Sequence, residues 1–177
     1  ITGGLFAQRM GLPIMNFIAA NNANDIFYNY LLSGIYSPKA SIQTIANAMD
    51  VGDPSNFARI LDLYKSSHAE ICNHISGATY SDDEIAATMK KCYEQTGYVL
   101  DPHGACGYQA LKDNLKEGET GVFLETAHPA KFKEKVDAIL STDIEIPTRL
   151  ADFMKGKKQS LEMAADFSAF KQFLLSV

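Results

Sequence analysis

The sequence predicts an α/β fold: a partial parallel sheet with flanking helices, and extra helices at the C-terminal end. Three observations predict it. Short apolar runs at 14–20, 98–100 and 122–124 are bounded by turn residues, as buried strands are. A helical pattern follows each run. Strand and helix alternating along a chain imply parallel strands joined by right-handed crossovers.

The elements follow in order. Leu5, Phe6, Met10 and Leu12 mark a short first helix, which Gly11 and Pro13 end. The run 14–20 is the first strand. Asn24 or Asp25 caps the next helix, which carries Ile26, Phe27, Tyr30 and Leu31 and stops at Gly34. Residues 35–56 read as a long loop with one helical turn near 42–48, and so long a connection in a compact domain is often functional. The spacing of Ile60, Leu63, Tyr64, Ile71 and Ile75 predicts a single helix over 57–75. Ser81-Asp82-Asp83-Glu84 is a capping box, in which the Ser hydroxyl and the Glu carboxylate each satisfy an orphan amide. Its helix turns Ile85, Met89, Cys92 and Tyr93 inward and ends at Gly97. The strands at 98–100 and 122–124 lead into helices over 103–115 and 129–140. A domain boundary is expected at 146. Residues 147–177 hold two amphipathic helical patterns split by Gly156-Lys157-Lys158, and Phe153, Phe167, Phe170 and Phe173 there must pack on something. The extension is expected to pack on residues 1–146.

The 177 residues suffice for a real core, and 46% hydrophobic with 21% charged content is ordinary for a soluble globular chain. A net charge of −5 with scattered lysines argues against an extended nucleic-acid surface. The longest apolar runs are too short to span a bilayer, so no membrane partner is expected. Cys72, Cys92 and Cys106 form an odd set without metal-type spacing. They read as free thiols in a reducing cytosol, which makes a cytoplasmic location the expectation. No metal site is predicted.

Three polar stretches stand out: 47–56 (NAMDVGDPSN), 101–108 (DPHGACGY) and 126–132 (TAHPAKF). Polar residues gathered at strand ends and helix starts are where α/β proteins place ligands. These strings, with Asn21-Asn22-Ala23-Asn24-Asp25, resemble the threonine synthase family of pyridoxal-phosphate (PLP) enzymes, fold-type II. The resemblance runs from residue 1 to about 140. It implies PLP as cofactor and O-phospho-L-homoserine as substrate. It also implies a Schiff-base lysine and a Ser-Gly-Asn-Phe-Gly phosphate loop upstream of Ile1. The chain is therefore expected to be the C-terminal part of such an enzyme, with no catalytic lysine of its own and with the missing N-terminal part as its partner.

Thr126 ends a predicted strand. The resemblance makes it the hydroxyl beside the PLP pyridine nitrogen; the alternative is a cap for the helix beginning near His128. Thr2 and Gly3, with Gly4, open the first helix, whose N-terminus suits a phosphate. The resemblance turns that start toward the PLP phosphate, and the alternative is close helix packing. Asn24, Asp25, Asp50, Asp53, Asn56 and Arg59 are the candidate substrate-binding residues. Arg59 suits a substrate phosphate but equally a surface pair with Asp62 or Asp53. His103 and His128 are read as hydrogen-bonded structural groups, and His68 and His74 as packing or surface residues. Lys131 is read as structural or as a local charge partner.

The intact enzyme is then expected to convert O-phospho-L-homoserine and water into L-threonine and phosphate, with this chain inactive alone. A related phospho-lyase that releases a keto acid, and a stand-alone non-catalytic module, are the alternatives.

Overall fold

The computed structural model describes residues 1–176. The chain divides into one unit over Ile1–Ile144 and a second over Glu145–Val177. In the first, β1 (Phe17–Asn21) and β2 (Ile75–Thr79) pair in parallel, with Phe17 opposite Ile75 and Asn21 opposite Thr79. The helices are α1 (Thr2–Arg9), α2 (Ile26–Ser33), α3 (Phe57–Leu63), α4 (His68–His74), α5 (Asp82–Thr96), α6 (Pro102–Asn114) and α7 (Lys133–Leu140). The second unit holds α8 (Thr148–Met154) and α9 (Phe167–Ser176). In that unit Phe153 and Phe167 are exposed.

The sheet separates two apolar cores, and the period-2 alternation of a strand assigns its side chains between them. Ile18 and Ala20 of β1 pack against Ile85, Met89, Leu100, Cys106 and Val136. Phe17 and Ala19 pack against Leu5, Tyr30, Phe57, Ile60, Ile71 and Ile75. In the second core the Tyr30 and Phe57 rings meet edge to face at 4.6 Å, and Tyr36 stacks on Phe57 at 4.1 Å.

Several predicted boundaries hold because a specific residue sets them. Ser81 and Glu84 form the reciprocal capping box of α5. Gly34 and Gly97 end α2 and α5 in the left-handed region, each at φ 73°. Asp101 caps α6, with Pro102 in its first turn.

Other elements differ from expectation. The single helix over 57–75 is broken into α3 and α4, because Lys65 and Ser66 turn left-handed at φ 49° and 58° and Ser67 caps a new helix. Ile75, expected as the last residue of that single helix, instead begins β2. At Gly77 a Cβ would stand 2.8 Å from the Tyr28 ring, so α2 lies directly against the strand there. The first strand runs over Phe17–Asn21 and not 14–20. The helical turn expected near 42–48 is a 3-10 turn at Asn47–Met49. The expected strands at 98–100 and 122–124 are not strands among the described residues, because no neighbouring strand takes up their backbone hydrogen bonds. The helix expected over 129–140 is a 3-10 turn at Pro129–Phe132 followed by α7.

Candidate functional site

The C-terminal end of β1 carries a dense polar network. Asp50 Oδ1 accepts from Asn22 Nδ2 at 2.9 Å, Asn24 Nδ2 at 3.1 Å and Thr44 Oγ1 at 2.7 Å, while Oδ2 accepts from the Thr44 amide at 3.0 Å. Asn22 Oδ1 accepts from the Asn24 amide at 2.8 Å, and Asn24 exchanges hydrogen bonds with the Ile42 backbone in both directions. Asn22, Asn24 and Thr44 are buried. Four donors on one carboxylate compensate its desolvation and tie the 42–50 loop to the strand end. Beside them lies a cavity of about 180 Å3, lined by Asn21, Asn22, Asn24, Phe27, Met49 and Val51 among others, none of its lining residues charged. Strand ends of this kind are where open α/β sheets take ligands.

The other predicted substrate residues lie apart from that network. Asp25 pairs with Lys39 at 2.6 Å. Burial pushes its pKa up, but the bonds from Lys39 and Asn29 outweigh it and hold the carboxyl below the usual range. Asp53 accepts from Tyr36 Oη at 2.6 Å. Burial, then that carboxylate, pushes the Tyr36 phenol up to about 12. Asn56 precedes α3 with no cap bond from its side chain, its carbonyl accepting from the Arg59 amide at 3.1 Å, and Arg59 is exposed. Among the described residues Arg59 pairs with neither Asp53 nor Asp62, so the expected surface ion pair is absent. Asp50, Asp53 and Arg59, expected together in one cluster over 47–59, thus divide between the network, the Tyr36 contact and an exposed helix face.

A second polar group sits at the start of α6. Asp101 is fully buried; its Oδ1 accepts from the His103 amide at 2.8 Å and from His103 Nδ1 at 2.6 Å. His103 Nε2 accepts from the Ala48 amide at 3.0 Å, which places the ring proton on Nδ1 and joins α6 to the 42–50 loop. Asp101 Oδ2 and both Glu125 oxygens are buried without a conventional donor. Burial, then Asp101, pushes the Glu125 carboxyl up to about 8. For Asp101 burial acts upward, and the bonds with His103 and Glu125 prevail and hold it low. One proton shared between the two carboxyls accounts for Asp101 Oδ2 and one of the Glu125 oxygens. Neither Glu125 nor its partner figured among the candidates. The signals were the acidic residue before Thr126 and the Asp-Pro helix start.

Segment 121–126 alternates in exposure: Val122, Leu124 and Thr126 face outward, Phe123 and Glu125 inward. The Thr126 hydroxyl makes no hydrogen bond among the described residues. It does not cap the following turn; His128 does, with Nδ1 accepting from the Ala130 amide at 3.1 Å. Lys131 is exposed, 5.9 Å from the Phe132 ring centre. His68 and His74 bond backbone carbonyls. All three cysteines are free, with Cys72 exposed. No group of potential metal ligands occurs among the described residues, and no helix there is long and apolar enough to cross a membrane.

The donor set fits PLP. The first intrahelical bond of α1 is Leu5 N to Ile1 O, so the amides of Thr2, Gly3 and Gly4 are open to an anion. A Cβ at Gly3 would meet nothing within 4 Å. Thr126 offers an outward hydroxyl, the neutral partner a pyridine nitrogen accepts.

Residues 1–126 match the family of pyridoxal-phosphate dependent enzymes, and residues 104–174 match threonine synthase, C-terminal. The chain is 44% identical, over 99% of its length, to threonine synthase of Haemophilus influenzae and spans 41% of that protein. It is 41% identical over its whole length to the Serratia marcescens threonine synthase, again spanning 41% of it. Its structure is similar to Escherichia coli threonine synthase, with a TM-score of 0.84 and 40% identity, covering 99% of this chain and 40% of that one. It is also similar to PLP-bound threonine synthase from Brucella melitensis, with a TM-score of 0.81 and 30% identity, covering 97% and 42%. The chain spans about 41% of the length of the curated relatives it matches. With residues 1–126 matching its model, the chain belongs to the pyridoxal-phosphate-dependent enzyme family, and it is similar to threonine synthases almost from end to end on this side.

Proposed function

We propose that this chain is the C-terminal part of an enzyme that converts O-phospho-L-homoserine and water into L-threonine and phosphate. The observation that carries the reading is similarity to threonine synthases over 99% of the chain. Bound, PLP supplies an electron sink for bond breaking at the substrate's amino-acid carbons.

The chain's own residues bind and orient. The amides of Thr2 and Gly3 hold the cofactor phosphate at the start of α1. Thr126 bonds the pyridine nitrogen through a neutral hydroxyl, which does not force that nitrogen to be protonated. Asn24 and Asp50 act as a fixed wall, because their polar atoms are already committed to one another and to the 42–50 loop. Asp25, Asp53 and Asn56 shape the rim. Arg59, exposed and without a carboxylate partner among the described residues, is the cation left for the substrate phosphate. The covalent lysine lies in the remainder of the enzyme, so residues 1–177 alone are inactive.

The test is product analysis of the full-length protein with PLP and O-phospho-L-homoserine. Threonine and phosphate in equal amounts are expected, and no turnover by residues 1–177 alone. Release of 2-oxobutyrate in place of threonine would make the enzyme a phospho-lyase and overturn the reading.

A further inference from the structure

The Asp101–Glu125 pair lies outside everything assigned above, and three observations make it more than a buried curiosity. The first is fit. A Cβ on Gly104 would stand 2.1 Å from Glu125 Oε2 and 2.3 Å from its Cδ, so the Glu125 carboxyl rests directly on the first turn of α6. The second is the proton inventory. Asp101 Oδ1 takes both His103 donors, and among the described residues neither Oδ2 nor either Glu125 oxygen makes a conventional hydrogen bond, the Asp101 amide being the one N–H that acts on the Glu125 carboxyl. Two touching carboxylates cannot both ionise in a buried site. An O–H on Glu125 donating to Asp101 Oδ2 is the arrangement that leaves Asp101 the anion, where the dipole of α6 and the His103 proton favour it. The third is register. Because alternate residues of an extended segment face opposite ways, anchoring Glu125 inward fixes Thr126 outward.

We propose that Glu125 is a positioning residue for the cofactor: its neutral carboxyl, bonded to Asp101, clamps segment 122–126 onto α6 and so holds the Thr126 hydroxyl at the pyridine nitrogen. This rests on the PLP reading of Thr126 given above. The clamp is proton-dependent. When Glu125 ionises, two anions face each other with no proton to share, and the segment is pushed off the helix start. Burial places that ionisation near pH 8. The titratable groups facing the pair are His103 and Cys106 on α6, with Asp82 behind Cys106, and Tyr98, with Cys92 and then Tyr108 beyond it. Burial pushes Tyr98, Tyr108 and Cys106 upward, the thiol to about 12.

The experiment uses the full-length protein as wild type, Glu125→Gln and Glu125→Ala. Gln keeps a neutral donor for Asp101 Oδ2 and has no proton to lose; Ala removes the clamp. The first readout is amide hydrogen exchange at the start of α6 in the apoenzyme, where the Ala105 amide bonds Asp101 O beside the Glu125 carboxyl, corrected for the intrinsic effect of pH. Protection in the wild type is expected to fall at least fivefold between pH 6.5 and 9. It should stay level in Glu125→Gln and be low throughout in Glu125→Ala. The second readout is PLP affinity by cofactor fluorescence. The wild-type Kd should rise severalfold more than that of Glu125→Gln across the same range, and Glu125→Ala should bind about tenfold more weakly at pH 6.5. Equal pH responses in wild type and Glu125→Gln, or unchanged exchange and affinity in Glu125→Ala, overturn the proposal. Hydrogen exchange reads the clamp with neither cofactor nor substrate present. A 2-oxobutyrate product with the predicted exchange pattern would therefore sink the assigned reaction and leave the clamp standing. Threonine formation with a flat pattern would do the reverse.

Discussion

Gly104 sits buried in the first turn of α6 with the Glu125 carboxyl where its side chain would be. An added methyl has no room, since both Glu125 oxygens would lie within 2.4 Å of it. Gly104→Ala is therefore expected to destabilise the full-length protein by about 2–3 kcal/mol through overpacking. Its conflict is with one side chain rather than with backbone, which makes the effect separable. Combined with Glu125→Ala, the two changes should cost about 1–2 kcal/mol less than their sum. Urea denaturation of the two single variants and the double variant at constant slope measures this coupling. Simple additivity would mean the carboxyl does not rest on Gly104. Asp50 makes the contrasting case at this scale. Its four hydrogen bonds come from residues that are polar for no other visible reason, so the network is closed by mutual satisfaction and not by a shared proton.

Helix α3 ends not through a glycine but through Lys65 and Ser66 held left-handed, a conformation costing about 1 kcal/mol per residue for an L side chain. The turn persists because the Ser66 amide bonds Leu61 O at 2.7 Å and the Ser67 amide bonds Tyr64 O at 3.0 Å. The Ser66 side chain is exposed and makes no bond in that turn. Ser66→Gly should thus relieve strain, offset in part by the greater freedom of an unfolded glycine, for a net gain of about 0.5 kcal/mol. A higher urea midpoint at unchanged slope is the expected result; a lower one would show that the serine side chain holds the turn. The same break explains what the sequence hid. Ile60, Leu63, Tyr64, Ile71 and Ile75 keep a helical rhythm across 64–67, and rhythm reports a buried face, not a continuous axis. The Ser67–Glu70 spacing carried the information, as Ser81–Glu84 did for α5. Strand β2 was masked by Gly77, which is there for the Tyr28 ring. The runs at 98–100 and 122–124 read as buried strands, yet Leu100 is buried while Val122 and Leu124 are exposed, because apolar character alone does not supply a strand partner. Asn24 and Asp50 stood out because polar residues crowd their loops, and the fold joins them in one network. The pairings Asn22 with Thr44 and Asp101 with Glu125 were not legible, since each joins positions distant in sequence.

At the scale of the molecule the carboxyl pair ties folding to pH, and the sign follows from where its proton sits. Unfolded, Glu125 loses its proton near the ordinary 4.5; folded, it keeps it to about 8. Between those values the folded state binds more protons than the unfolded state, so stability declines as pH rises. This contribution is fully present below about pH 4.5 and gone above about 8. Asp101 works in the opposite sense: its folded pKa is lowered, so its contribution is kept above the ordinary 3.8 and lost only in acid. The two do not cancel, because their windows do not overlap. Full-length protein is the material to use, since residues 1–177 expose Met10, Met15, Val122 and Leu124 and would self-associate. Its thermal midpoint should fall between pH 5 and 8.5 more steeply in wild type than in Glu125→Gln, which cannot ionise. The two curves should run parallel again above pH 9, where the wild-type carboxyl is charged in both states. Parallel curves across the whole range would mean that Glu125 is ionised at neutral pH and that Asp101 shares no proton with it.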